Sequence, residues 1–169
     1  MSRLFLLRHA KAAWPEPGGR DFDRPLSPSG AAEAGLIGQA MLRLGLMPRH
    51  VVCSPAARAV QTWQAIAESL ARSAAEAFLS DSLYDGDASS YLTLIRNAGP
   101  VGDILVVGHN PMIEDVAAAL SENGDAAARS MLAKGFPTGG LAVINIAGDP
   151  PAASPATCRL ERFLIPSEL

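Results

Sequence analysis

Three short segments, far apart in the chain, each end in residue types that can handle an anion. Leu4-Phe5-Leu6-Leu7 runs into Arg8 and His9, with Lys11 close behind. Val51-Val52-Cys53 runs into Ser54-Pro55 and, a turn later, Arg58. Ile104-Leu105-Val106-Val107 passes through Gly108 to His109 and Asn110. Arginine offers a planar fork of donors that fits two oxygens of a phosphate or carboxylate at once. Neutral histidine keeps a ring nitrogen free for nucleophilic attack near pH 7. Taken singly, each residue has a plainer reading. A lone histidine is more often structural, and Arg58 by itself reads as a surface helix residue. His50, with no partner in view, keeps that plainer reading. Together the residues describe a phosphate pocket, provided the fold gathers them.

The surrounding pattern supplies such a fold. Apolar runs at Leu4–Leu7, 49–53, 77–79, 103–107, 139–147 and 156–165 read as strands. Between them lie helical segments. Ser27-Pro28 gives an N-cap and a first-turn proline, and the helix runs to Leu44 and Gly45. Ser54-Pro55 repeats that signal for a helix to about Arg72, with Ala59, Trp63, Ile66 and Leu70 roughly on one face. Asn110-Pro111 repeats it again for a helix to Leu120. Shorter helices are expected over 90–98 and 126–132, and 81–89 reads as a polar loop. Lys11 to Ser29, rich in Pro, Gly, Asp and Arg, is a longer loop than most connections. Alternating strands and helices argue an α/β domain with a mainly parallel sheet, a single domain over 1–169. Ligands of such sheets bind outside the carboxyl ends of the strands, where all three special segments lead.

Composition narrows the classes. The chain has 169 residues and a formal net charge of −3, from 14 basic and 17 acidic side chains. That balance predicts no nucleic-acid or anionic-membrane surface. No apolar run approaches the ~18 residues of a membrane helix, and a targeting segment is not evident, so the cytoplasm is the expected compartment. Cys53 and Cys158 lack metal-ligand spacing and read as buried free thiols. No glycine-rich phosphate loop or dinucleotide fingerprint follows any strand.

The motifs also resemble a known family. Leu7-Arg8-His9-Ala10 resembles the Arg-His-Gly signature of the histidine phosphatase superfamily, whose fold is phosphoglycerate mutase-like. Ser54-Pro55-Ala56-Ala57-Arg58 with Thr62 resembles its Ser-Pro-x-x-Arg-x-x-x-Thr segment. Val107-Gly108-His109-Asn110-Pro111 resembles its second-histidine motif. Arg24-Pro25-Leu26-Ser27-x-x-Gly30 and Thr138-Gly139-Gly140 extend the likeness. With the short length, these resemble the SixA-type phosphohistidine phosphatases. The resemblance implies a three-layer α/β/α sandwich. Ala10 stands where the family usually has glycine, a change that a backbone without positive φ should accept.

By this resemblance His9 is the nucleophile and becomes a phosphohistidine that water then hydrolyses. Arg8 and Arg58 hold the phosphoryl oxygens, and His109 is expected to be protonated beside them. Lys11, Asn110 and Arg24 are secondary candidates for phosphate binding. Many relatives carry a glutamate acid in a Leu-x-Glu segment, where this chain has Leu83-Tyr84-Asp85, so Asp85 is the candidate proton donor, with Asp87 beside it. No metal or other cofactor is expected, since Asp21-x-Asp23 and Asp85-x-Asp87 lack histidine or glutamate partners at ligand spacing. An imidazole leaving group needs less protonation than an alcohol, because imidazolium has a pKa of about 6.5. A weak or absent acid therefore favours a protein-borne phosphohistidine, as in histidine phosphotransfer proteins, and so does a site with little material to roof it. The alternatives are a small-molecule phosphomonoesterase and a phosphate-binding regulatory module with little turnover.

Overall fold

The apolar runs become the strands of one six-stranded sheet. The protein is described here from a computed structural model covering residues 1–169, the side chain of Ala75 excepted. The strands are β1 (Ser2–Arg8), β2 (His50–Cys53), β3 (Phe78–Leu79), β4 (Ile104–Gly108), β5 (Leu141–Ile146) and β6 (Cys158–Leu164). Their order is β3-β2-β4-β1-β5-β6. The first four are mutually parallel, while β5 runs antiparallel to β1 and β6 antiparallel to β5. β1 lies between β4 and β5, which is why Leu4 to Leu7 are apolar without interruption and wholly buried.

Helices cover both faces: α1 (Pro28–Arg43), α2 (Ala57–Ser69), α3 (Ser82–Asp85), α4 (Ala88–Asn97), α5 (Met112–Leu120) and α6 (Ala126–Leu132). Alternate strand residues face opposite ways. Phe5 and Leu7 pack with Ile37 and Met41 of α1 and Trp63 and Ile66 of α2. Leu4 and Leu6 pack with Tyr91 and Ile95 of α4, Ile113 and Val116 of α5, and Leu132 of α6. The result is the three-layer, phosphoglycerate mutase-like sandwich expected. Among the described residues, no helix is long and apolar enough to cross a membrane.

Ser27 caps α1 as expected, its Oγ accepting from the Gly30 N–H at 3.0 Å. The other two proline signals mark bends rather than helix starts. α2 begins at Ala57 with Ala56 as N-cap, and α5 begins at Met112 with Pro111 as N-cap. Ser54 and Asn110 are drawn into tertiary hydrogen bonds instead, which a local signal does not encode. The expected polar loop 81–89 contains α3, a single turn too short to show a period. Asp87 then caps α4 by accepting from the Ser90 N–H at 2.8 Å, so that helix starts two residues earlier than expected.

The glycine of the Arg24-to-Gly30 segment has a steric reason. A Cβ at Gly30 would stand 2.1 Å from the Lys11 carbonyl oxygen, where the long loop after β1 passes over the first turn of α1. Alanine normally favours a helix over glycine by about 1 kcal/mol. Here Gly30→Ala is expected to destabilise the protein by about 1–3 kcal/mol, because backbone rather than a flexible side chain must move. Urea unfolding measures the sign, and a variant more stable than wild type contradicts the account.

Candidate active site

Sheet register brings the strand ends level. Arg8 of β1 lies opposite Gly108 of β4, and Cys53 of β2 opposite Val107. The next residues leave the sheet together: the His9 N–H donates to the Gly108 carbonyl at 3.0 Å and the Ser54 N–H to the Val107 carbonyl at 2.9 Å. Arg8, His9, Ser54, Arg58 and His109 thereby gather at one carboxyl edge.

His9 is fixed by its own backbone. Its Nδ1 lies 2.7 Å from the Ala10 carbonyl oxygen, which can only accept, so Nδ1 carries the proton. Nε2 keeps its lone pair and accepts from Arg58 Nε at 3.3 Å. Ala10 is fully buried. It tolerates its Cβ because its φ is not positive; among the described residues Ala71 is the one non-glycine with a positive φ. The Ala10 N–H donates to Thr62 Oγ1 at 3.0 Å, and the Thr62 hydroxyl donates to the Arg58 carbonyl at 2.7 Å. Thr62 thus locks the turn after β1 to the first turn of α2, which accounts for its place four residues after Arg58.

Arg58 is nearly buried and serves several acceptors. Besides His9, its Nη2 donates to Asp21 Oδ2 at 3.0 Å and approaches His109 Nδ1 at 3.4 Å, while Nη1 donates to the Asp21 carbonyl at 2.9 Å. An arginine only donates, so His109 Nδ1 is the acceptor and Nε2 carries the proton. That Nε2–H donates to Ser54 Oγ at 2.7 Å. The His109 backbone N–H donates to the Tyr91 hydroxyl at 3.1 Å. The two imidazole centroids are 5.1 Å apart.

A second wall comes from the loop before β5. The Phe136 carbonyl accepts from Arg8 Nη1 at 2.8 Å and from Asn110 Nδ2 at 3.1 Å. Asn110 Nδ2 also donates to Glu114 Oε2 at 2.9 Å. Gly139, at φ +73, turns its N–H onto the carbonyls of both Arg8 and His9 at 3.1 Å. The Thr138-Gly139-Gly140 segment therefore clamps the backbone of Arg8 and His9. Arg8 Nε is buried without a hydrogen-bond partner among the described residues.

The residue that sequence reasoning missed is Asp21. It opens a 3-10 turn, Asp21–Asp23, in the long loop, and its carboxylate is held by Arg24 Nη1 on Oδ1 at 3.0 Å and by Arg58 and the Tyr84 hydroxyl on Oδ2. The loop therefore reaches over the site, contrary to the expectation of an unroofed pocket. The available signal was the i,i+3 spacing of Asp21 and Arg24. Arg24 also donates to the Ala13 carbonyl, which braces the loop. Tyr84 stands 5.7 Å from His109, centroid to centroid. Lys11 is exposed and joins the loop through its backbone carbonyl. Asp85 is exposed at the end of α3, and Asp87 is engaged in capping α4. Among the described residues, no group of three histidine, cysteine, aspartate or glutamate side chains forms a metal-ligand cluster.

Electrostatics keep both histidines neutral. Burial lowers His9 to about 4, and the cations Arg58, Arg8 and Arg24 add to this against the opposing Ala10 hydrogen bond. Burial lowers His109 to about 3, with His9 and Arg58 adding and Asp21 opposing. A protonated His109 is thus not what this environment favours. Burial raises the Asp21 carboxyl, but the hydrogen bond from Arg24, the Arg58 charge and the Tyr84 hydroxyl outweigh it, so Asp21 is held below the usual carboxylate range. Burial lifts the Cys53 thiol to about 12, consistent with an inert core residue.

Arginines around a neutral, oriented imidazole at the carboxyl edge of a parallel sheet supply the donors and the free ring nitrogen that phosphoryl chemistry requires. Comparison with known proteins agrees. The description "Histidine phosphatase superfamily (branch 1)" matches residues 4–84. An uncharacterized Mycobacterium tuberculosis protein is 37% identical over 166 residues, 95% of this chain and 99% of its own. A crystal structure of a candidate phosphohistidine phosphatase SixA from Agrobacterium tumefaciens has 37% identity and a TM-score of 0.82, covering 96% of this chain and 97% of that one. A tungstate complex of the protein histidine phosphatase SixA shares the fold at TM-score 0.78 and 22% identity, covering 98% of each chain. The chain belongs to the histidine phosphatase superfamily.

The lowered histidines carry a pH consequence. Unfolded histidine titrates near 6.5, so between that value and about 4 the unfolded chain binds more protons than the folded one. Stability should therefore decline as pH falls below about 6.5. Imidazole NMR titration should give midpoints below 5 for His9 and His109. A midpoint near 6.5 for either, or stability unchanged from pH 7 to 5, would contradict the assignment.

Proposed function

We propose that the protein is a phosphatase acting on protein-borne phosphohistidine through a covalent intermediate on His9. The observation that carries this reading is the His9 ring: Nδ1–H on the Ala10 carbonyl, and Nε2 bearing its lone pair beside Arg58. In the first step Nε2 bonds to phosphorus. The bond from phosphorus to the substrate imidazole breaks, and its electron pair leaves with that nitrogen. In the second step the oxygen of a water bonds to phosphorus, the bond from phosphorus to His9 Nε2 breaks with its electron pair returning to the ring, and inorganic phosphate departs carrying the water's protons. Arg8 and Arg58 bind and neutralise the phosphoryl oxygens. His109, held by Ser54, adds a hydrogen-bonding ring beside them and gains proton affinity as negative charge arrives. Asn110 and Glu114 brace the Phe136 carbonyl that holds Arg8. The chemistry asks for no metal.

The substrate class is supported by the acid–base inventory. Asp85 is exposed at the end of α3, and Asp21 is a carboxylate pinned by two arginines rather than a protonated acid. Such a site suits an imidazole leaving group better than an alkoxide.

Phosphate release from a phosphorylated histidine phosphotransfer protein is expected for wild type and absent in His9→Ala. Labelled phosphate should be trapped on wild type as an acid-labile, base-stable adduct and not on the variant. Arg58→Lys, which keeps charge but loses the fork, should lower kcat/KM by roughly 100-fold. Equal rates for wild type and His9→Ala would end the mechanism, while higher kcat/KM on sugar or nucleotide phosphates would reassign the substrate to small phosphomonoesters.

A further inference from the structure

The loop after β1 has a pinned neck and a free arm. At the neck Ala12 bridges Leu26, the Ser27 N–H donates to the Lys11 carbonyl at 2.9 Å, and the Leu26 N–H donates to Gln61 Oε1 at 2.7 Å. Residues 14 to 21 of the arm are exposed, Trp14 at 91%. The arm returns to the body at Asp21 and Phe22. Asp21 meets Arg58 and Tyr84, and Phe22 packs edge-on against the Tyr84 ring at 5.1 Å.

The Asp21 contact lies on the group a phosphoryl substrate needs most. The two terminal nitrogens of Arg58 form the fork that grips paired oxygens. Here Nη1 donates to the Asp21 carbonyl at 2.9 Å and Nη2 to Asp21 Oδ2 at 3.0 Å, while Nε is directed at His9. One aspartate thus presents two oxygens to Arg58 in the manner of a phosphoryl group. Arg58 cannot grip two phosphoryl oxygens with that fork while Asp21 holds it. The Asp21 side chain is about half exposed, at 53%, whereas that of Arg58 is at 9%, so the anion can leave outward and the cation cannot.

We propose that Asp21 is an internal competitor for the phosphoryl position, exchanged for phosphoryl oxygens when the 14–24 arm swings away from Tyr84. This inference rests on the phosphoryl-binding reading of the site and adds a residue that sets its affinity. Asp21 occupies the Arg58 fork while the arm is closed and excludes weak anions. An anion displaces it only by offering two oxygens and more negative charge than one carboxylate. Tyr84 holds the closed arm through Asp21 and Phe22, Arg24 braces the arm on the Ala13 carbonyl, and the neck acts as the hinge.

Calorimetric titration of the full chain with inorganic phosphate tests this. Asp21→Asn keeps the shape and removes the charge, and should bind phosphate on the order of five-fold more tightly than wild type. Tyr84→Phe should tighten binding by roughly two-fold. Asp23→Asn, whose carboxylate pairs with Arg20 on the outside of the same turn, should match wild type. In turnover, Asp21→Asn should lower KM while kcat holds. Phosphate binding that is unchanged or weaker in Asp21→Asn overturns the proposal, as does a fall in kcat at unchanged KM, which would make Asp21 a proton-transfer group. The phosphoryl-binding reading fails separately, if neither wild type nor Asp21→Asn binds phosphate; the competitor proposal then falls with it.

Discussion

The site is organised around one guanidinium. Arg58 reaches the lone pair of His9, both oxygen types of Asp21 and the ring of His109. Those groups come from β1, the long loop and the end of β4, so a single side chain joins three otherwise separate segments. A buried arginine stays charged, and its cost of burial is offset only when its donors are used. This constraint explains why so much of the neighbourhood is polar and matched. Thr62 fixes the Arg58 backbone, Ser54 orients the imidazole that faces it, and Asp21 supplies the opposing charge.

The histidines gain their character from the same environment. Each sits in a buried pocket beside cations, so the neutral form is favoured and one nitrogen is left with a lone pair. Opposite tautomers follow from opposite partners. A carbonyl takes the Nδ1 proton of His9, and a serine hydroxyl takes the Nε2 proton of His109. In the proposed role of nucleophile, His9 therefore needs no separate base to deprotonate it. The backbone that orients His9 is itself clamped by Thr62 on one side and Gly139 on the other.

Precision at this edge depends on the rigidity of the sheet beneath it. β1 is flanked by β4 and β5, and both its faces are covered by apolar helices. Above that sheet edge lies the long loop after β1. Among the described residues it bears the one carboxylate bound to Arg58, and it is anchored at residues 11–13 and 25–27 and again at Asp21 and Phe22. The sheet edge carries His9 and the arginines, and the loop carries the carboxylate that faces them.

Much of this was legible in the chain. Apolar runs of three to four residues ending in Arg8-His9, Ser54 and Gly108-His109 determine a parallel sheet and its chemically loaded edge, because strand hydrophobicity and strand-end polarity are local properties. The Ser27 cap was legible for the same reason. What only the tertiary structure decided were the partners made across long separations. Ser54 and Asn110 looked like helix caps, yet His109 claims the first and the Phe136 carbonyl the second. α3 was invisible because one turn has no period. Asp21 stood in the sequence only as half of an Asp21-x-Asp23 pair without metal partners, and the path of the loop sets its carboxylate on Arg58, 37 residues further along the chain. Local sequence determines which groups can react; long-range packing decides which of them face one another, since that depends on strand register and loop path rather than on neighbours in the chain.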